Sequence, residues 1–312
     1  MATTATPAVP FQEEIVLEEK SLSTWGMAFR RLLRHRLAIV GMIVLGLFVV
    51  LSLLAPYIAP YEFDAIDLSN MFAPPSAAHL LGTDPLGRDI LTRLLYAGRI
   101  SLTIALVAAV LSTVIGVLIG AVAGYFGGWV DLLLMRFTDI MLTLPVLPLL
   151  LIASQSLRQF VQLQQLFGDL LSVSIIIIIN VVFGWMTVTR LLYGSVLSLK
   201  QSEFVEAARA LGASNWRMIT VHLVPNSLAP IIVATTLDFG AIVVYEATLS
   251  FLGFGVTPPT PSWGNMLTDV ERYMVRDPML AIYPGLCIFL TVLAINFIGD
   301  GLRDALDPRL KI

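Results

Sequence analysis

Charge is scarce in this chain. Only 13% of its 312 residues are Asp, Glu, Lys or Arg, while 57% are hydrophobic; soluble domains carry about 25% charged residues. So little charge cannot cover a water-facing surface, which excludes an ordinary soluble domain. Cysteine is nearly absent. The lone Cys287 lies in an apolar run, which rules out an internal disulfide and leaves packing as its ordinary role. The three histidines, His35, His79 and His222, lack metal-ligand spacing, so no metal is expected. A net charge of -3 supplies no basic surface for nucleic acid. No G-x-x-x-x-G-K-[ST] run cradles a nucleotide phosphate, and no Ser/His/Asp set suggests a peptidase.

Long apolar runs are what the chain has instead. Six segments, approximately 37–59, 100–124, 132–153, 171–193, 227–254 and 280–300, predict an all-α polytopic membrane protein with six transmembrane helices. As a helix the first would be about 34 Å long, enough for about 30 Å of hydrocarbon. It exceeds a signal-peptide core, and Ala55 is followed by Pro56, so it reads as an uncleaved span. In the third, Arg136 and Asp139 are three apart and could pair on one face, while Pro145 and Pro148 predict a kink. Gly116, Gly120 and Gly124 form a small-residue stripe for close helix approach, its partner being this chain or a companion. Residues 1–24, with Glu13, Glu14, Glu18 and Glu19, read as a disordered tail. The collar FRRLLRHR, Phe29 to Arg36, follows. Most of the 19 basic residues fall on the side of the two termini, which the positive-inside rule places in the cytoplasm.

One polar passage interrupts the oil: EFVEAARALGASNWRMITVHLVPN, Glu203 to Asn226. Phe204, Ala207, Ala208 and Leu211 share one helical face. Gly212 stands where a helix ends with positive φ, and Ser214 can cap a second helix. Trp216, Ile219 and Leu223 repeat the periodicity, His222 falls on the polar face, and Pro225 interrupts. Two amphipathic arms bent at Gly212 fit either an interfacial helix pair or a docking knob for a cytoplasmic protein.

The passage resembles the EAA loop of bacterial ABC importer permeases. Glu206, Ala207, Ala208, Gly212, Leu223 and Pro225 carry the match, although Leu223-Val224-Pro225 spaces by one what is usually Leu-Pro. Two further stretches, LGTDPLGRDILTRLLYAGRISL (Leu81 to Leu102) and EATLSFLGFGVTPPTPSWGNML (Glu246 to Leu267), resemble the second, C-type permease of dipeptide/oligopeptide importers. The resemblance covers about residues 25–310 and implies a type I ABC importer transmembrane domain over 100–303, with the EAA coupling loop at 200–226. Segment 25–80 would hold the first helix, 81–99 an external amphipathic element, and 304–312 a cytoplasmic tail. Glu206, Ala207, Ala208, Arg209, Gly212, Leu223 and Pro225 would couple to the ATPase. Gly82, Asp84, Gly87, Arg88, Asp89, Glu246, Ser250, Gly253, Trp263 and Gly264 would be structural motif residues. The implied partners are a second homologous permease, two cytoplasmic ATPase subunits, an extracytoplasmic substrate-binding protein and the bilayer. ATP and Mg would sit on the partner ATPases and no cofactor on this chain. Peptides are the implied substrate, with glutathione and nickel chelates as alternatives.

Asp238 and Glu246 lie in the fifth apolar segment, where a mid-membrane carboxylate costs about 2.5–3.5 kcal/mol. Tyr245 shares the face of Asp238, and Glu246 lies about 80° away. Asp238, Tyr245 and Asn180 are candidates for the substrate path; for Asp238 and Asn180 an inter-helix hydrogen bond is the other reading, and for Glu246 its place in the motif that resembles the permease family makes that reading the favoured one. In 81–99, Asp84/Arg88 and Asp89/Arg93 at i,i+4 predict a solvated helix with ion pairs. Asp300, Arg303, Asp304 and Asp307 suggest a solvated helix end. An ion-coupled secondary transporter, using Asp238 and Glu246, is the alternative from another class; it predicts repeated halves, and none is visible.

Overall fold

The computed structural model describes residues 24–268 and 270–307. Apart from Thr24, the expected N-terminal tail lies outside the described residues, as do residues 308–312 of the C-terminal tail.

The regular elements of the described residues are all helical. Helix α1 (Thr24–Leu32) packs Ala28 and Leu32 against Ala38 and Ala305. His35 caps α2 (Arg36–Leu53) by accepting from the Ala38 N–H at 3.2 Å, and its ring lies 3.7 Å from Asp304, so the two described ends of the chain meet. The first apolar segment is broken near its end. A short α3 (Ala55–Ile58) restarts after Leu54 with Pro56 in its first turn, where a missing N–H does no harm. After a polar excursion, α4 (Ile90–Phe126) runs for 37 residues. It begins ten residues before the predicted span.

Among the described residues, five helical stretches are long and apolar enough to cross a membrane. A sixth passage is made by α5 (Gly128–Thr143) and α6 (Val146–Leu157), which meet at 92°. Leu144 is extended, as a residue before proline prefers, and Pro145 has no N–H to continue the ladder. The bent pair runs from one end of the bundle to the other. Near its start, Asp131 accepts from the Tyr193 hydroxyl at 2.9 Å; near its finish, Ser154 donates to the Phe254 carbonyl at 2.5 Å. Asp139 does not have Arg136 as its partner: it pairs with Arg190 across the helix interface.

Helices α7 (Val161–Phe167) and α8 (Leu171–Leu199) follow, then the polar passage with α9 (Glu203–Ala210), α10 (Asn215–Arg217) and α11 (Val224–Asn226), and finally α12 (Leu228–Phe251) and α13 (Met279–Leu306). The core is Ile104, Ala105, Ala108, Leu150, Ile175, Ile176, Ile179, Val243 and Leu249, drawn from α4, α6, α8 and α12. The glycine stripe finds its partner within the chain. A Cβ at Gly116, Gly120 or Gly124 would lie 2.7 Å from the Trp185 carbonyl oxygen, 2.6 Å from that of Thr189 and 2.8 Å from Val196 Cγ1, all on α8. In lipid, where burial drives helix association little, such close packing is a main source of adhesion. The Thr189 hydroxyl donates to the Gly116 carbonyl at 3.2 Å across the same seam, and Thr113 and Thr235 bond at 2.8 Å between α4 and α12.

Candidate functional site

The polar passage folds as an elbow. Glu203 and Glu206 lie in the first turn of α9 and Arg209 in the last, each favourable with the helix dipole. Gly212 has φ +83°, and the chain leaves the helix through paired bonds, Ala213 N–H to Ala208 O at 3.1 Å and Gly212 N–H to Arg209 O at 3.0 Å. This Schellman turn satisfies the last carbonyls and demands a left-handed residue. Ser214 then caps α10 by accepting from the Arg217 N–H at 3.4 Å.

The second arm departs from the predicted helix. Met218–Leu223 is a π-helical turn, with the Val224 N–H reaching back to Ile219 O. Residues five apart lie nearly over one another in such a turn. Met218 and Leu223, five apart, are therefore buried on one face, and Ile219 and Val205 are buried with them. Trp216 does not join them and is 64% exposed. On the first arm three residues of the predicted face, Phe204, Ala207 and Leu211, are exposed, Leu211 at 90%, while Val205, outside that face, is the buried residue. Glu206 and Arg209 are exposed, Ala208 is half-buried, Leu223 is buried and Pro225 is exposed. The elbow is tied to the end of α4 by Tyr125, whose hydroxyl donates to Asn215 Oδ1 at 2.7 Å and whose carbonyl accepts from Lys200 Nζ at 2.6 Å.

At the opposite end, Glu246 is fully buried. Its Oε2 accepts from Ser101 at 2.9 Å and its Oε1 from Ser250 at 2.7 Å. Ser101 in turn accepts from the Trp263 N–H at 3.2 Å, and Ser250 from the Val256 N–H at 3.0 Å. The Trp263 indole donates to Leu94 O at 3.2 Å. Gly264 sits so near Ala247 that a Cβ would lie 2.5 Å from its Cα, and Gly253 turns the chain off α12 at φ +84°. One carboxylate thus fastens the segment after α12 onto α4, as favoured for a structural hydrogen bond.

Residues 81–89 are not the solvated helix that their spacing predicts. Gly82 and Gly87, at φ +81° and +73°, fold them into a turn, and the helix starts only at Ile90. Asp84 is buried, accepting from the Leu86 and Arg88 N–H groups at 2.8 and 3.0 Å and from Arg88 Nε at 2.7 Å. Asp89 caps α4 through the Thr92 N–H at 2.8 Å and meets His79 at 3.0 Å, while Arg93 lies 3.7 Å from Asp84 instead.

The three candidate path residues come together. Asp238, Asn180 and Tyr245 line one cavity of about 40 Å³, with Ser112 and Phe183 beside them. Asn180 donates its amide to Ile176 O at 2.8 Å. Asp238 Oδ2 is buried without a hydrogen-bond partner. Among the described residues no cluster of three His, Cys, Asp or Glu could hold a metal.

Sequence reasoning missed Ser101, His79 and Arg158. Arg158 donates to the Phe254 and Gly255 carbonyls, and burial pulls its pKa below the usual arginine range. His79, Arg158 and Ser101 lie 10, 96 and 145 residues from the groups they serve, beyond the reach of helical spacing, and serine carries no periodic signal.

Comparison with known proteins now places the chain. Residues 116–312 match the family "Binding-protein-dependent transport system inner membrane component", and residues 23–75 match "N-terminal TM domain of oligopeptide transport permease C". The chain belongs to this family of inner-membrane permeases: it is a membrane-spanning, non-enzymatic subunit of an ABC importer, with ATP hydrolysis left to separate subunits. It is similar to the dipeptide transport system permease protein DppC of Alkalihalophilus pseudofirmus, 42% identical over 93% of this chain and 92% of the relative. The glutathione transport system permease protein GsiD of Pectobacterium atrosepticum is 38% identical over 95% of both chains, and that of Escherichia coli is 38% identical over 95% and 94%. Membership sets aside the ion-coupled secondary transporter.

Proposed function

We propose that this permease forms, with a second homologous permease, a path for di- and oligopeptides delivered by an extracytoplasmic binding protein, and that the elbow is gripped by cytoplasmic ATPase subunits carrying ATP and Mg. Both termini and the elbow then lie in the cytoplasm, in keeping with the basic-residue bias. One observation carries this reading. The elbow buries Val205, Met218, Ile219 and Leu223 in the permease and holds Phe204, Leu211 and Trp216 outward. An elbow fixed on one side and apolar on the other suits docking into a groove. Glu206 offers a carboxylate to an arginine fork, and Ala207 permits close approach. Nucleotide-driven closure of the ATPases would move the elbow as a rigid body and swing α4, α8 and α12 between outward- and inward-facing states. Peptide chemistry follows the DppC relative; glutathione, named for the GsiD relatives, is itself a small peptide.

Gly212→Val and Glu206→Lys, made separately in the reconstituted importer, test the docking. Each is expected to lower peptide uptake and ATPase stimulation together while the complex still assembles. Survival of both activities in either variant would refute it.

A further inference from the structure

Among the described residues, four buried side-chain atoms lack a hydrogen-bond partner, and Asp238 Oδ2 is the carboxylate oxygen among them. Asp238 stands within α12, inside a membrane-spanning passage, and has neither an ion pair nor a hydrogen bond among the described residues. Glu246, eight residues on, shows how this protein settles a carboxylate that serves structure: both oxygens are bonded and the side chain is fully buried. Asp238 has been given no such partners. A carboxylate within a membrane span faces protein or a water-filled space and marks a path for a cation.

Its surroundings specify the kind of cation. Asp238 lines two spaces, the cavity of about 40 Å³ shared with Asn180 and Tyr245, and a larger one of about 570 Å³ that opens toward Thr187 and Arg303. The small cavity has no Lys or Arg in its wall. Asn180 has spent its amide N–H on Ile176 O, which leaves Oδ1 as an acceptor. Ser112 has spent its proton on Ala109 O, which leaves its oxygen lone pairs. Phe183 and Tyr245 add aromatic rings. Carboxylate, amide and hydroxyl oxygens beside aromatic faces suit an ammonium, which has three donors and no acceptor. A hard divalent ion would demand more oxygen ligands than one carboxylate site offers. The small cavity has room for an amine but not a peptide, while the larger space, which Asp238 also lines, has room for the remainder.

We infer that Asp238 is a specificity residue that receives the free α-ammonium group of a peptide, seating it among Asn180, Ser112 and Tyr245 while the rest of the peptide occupies the larger cavity. The inference rests on the peptide reading above.

The test uses the assembled importer in nanodiscs, with the binding protein omitted so that its own selectivity plays no part. Alanyl-alanine and its N-acetyl form are titrated against the native complex and against Asp238→Asn. The native complex is expected to bind the free amine at least about ten-fold tighter, the low end for a charge-assisted hydrogen bond. Asp238→Asn is expected to erase that preference while still binding the acetylated peptide. Equal binding of both peptides to the native complex, or an undiminished preference in Asp238→Asn, overturns the inference and leaves the peptide reading standing. Should Asp238→Asn bind neither, Asp238→Glu decides: a recovered amine preference supports the inference and its absence overturns it. If the native complex binds neither peptide, uptake of the same pair is measured with the binding protein restored: no uptake of either ends the peptide reading and the inference with it, and an amine preference that Asp238→Asn leaves undiminished overturns the inference alone.

Discussion

Glu246 on α12 accepts a 2.9 Å hydrogen bond from Ser101 on α4, inside the protein and across 145 residues of chain. The same serine accepts from the Trp263 N–H, so two helices and the segment after α12 meet at one hydroxyl. Removing it strands a buried acceptor and a buried donor. Ser101→Ala is therefore expected to destabilise the purified complex by about 1–3 kcal/mol, read as a lowered thermal midpoint with a shift in tryptophan emission. Glu246→Gln, which keeps an acceptor, should be milder than Glu246→Ala.

Gly212 tests geometry without crowding. A Cβ there meets open space, so only its φ of +83° penalises a side chain. Asn tolerates the left-handed region and β-branched residues do not. Gly212→Asn should keep most transport, whereas Gly212→Val should strain the turn by about 1–3 kcal/mol and lose coupling. Uptake and ATPase rates measured side by side decide it; equal activity of the two variants would show that the bend is not needed.

The α4–α8 seam makes the opposite prediction. At Gly120 a Cβ would press within 2.6 Å of the Thr189 carbonyl oxygen, while at Gly46 nothing lies within 4 Å. Gly120→Ala should cost about 1–3 kcal/mol by forcing the helices apart, and Gly46→Ala should be neutral. Thermal unfolding of the two variants in the same detergent tests the contrast.

Much of this was legible in the chain, for identifiable reasons. Long apolar runs find helices because lipid allows no other open element. Gly212 was readable because a glycine just past an amphipathic face has one common meaning. The structural role of Glu246 was readable because it falls in a motif of the permease family that the chain resembles; the cost of a carboxylate in lipid alone left Asp238 open. The 84–93 segment was legible in part: the Asp84–Arg88 ion pair forms at 2.7 Å as its spacing predicts, but in a turn set by Gly82 and Gly87 and not in a helix, and Arg93 faces Asp84 in place of Asp89. Trp216 misled for a related reason: its i, i+3, i+7 relation to Ile219 and Leu223 assumes an α-helix, and the π turn at Met218–Leu223 changes the register. Asp139 pairs with Arg190, 51 residues on, because the packing of α5 on α8 sets partners that local spacing cannot reveal.

The most direct measurement concerns Ala207, which lies exposed on the outer face of the elbow. With Cys287 replaced by Ala, a cysteine at position 207 is expected to crosslink to an ATPase subunit in the assembled importer, in at least one trapped nucleotide state. A reactive cysteine there that crosslinks to no ATPase subunit in any state would contradict the coupling account.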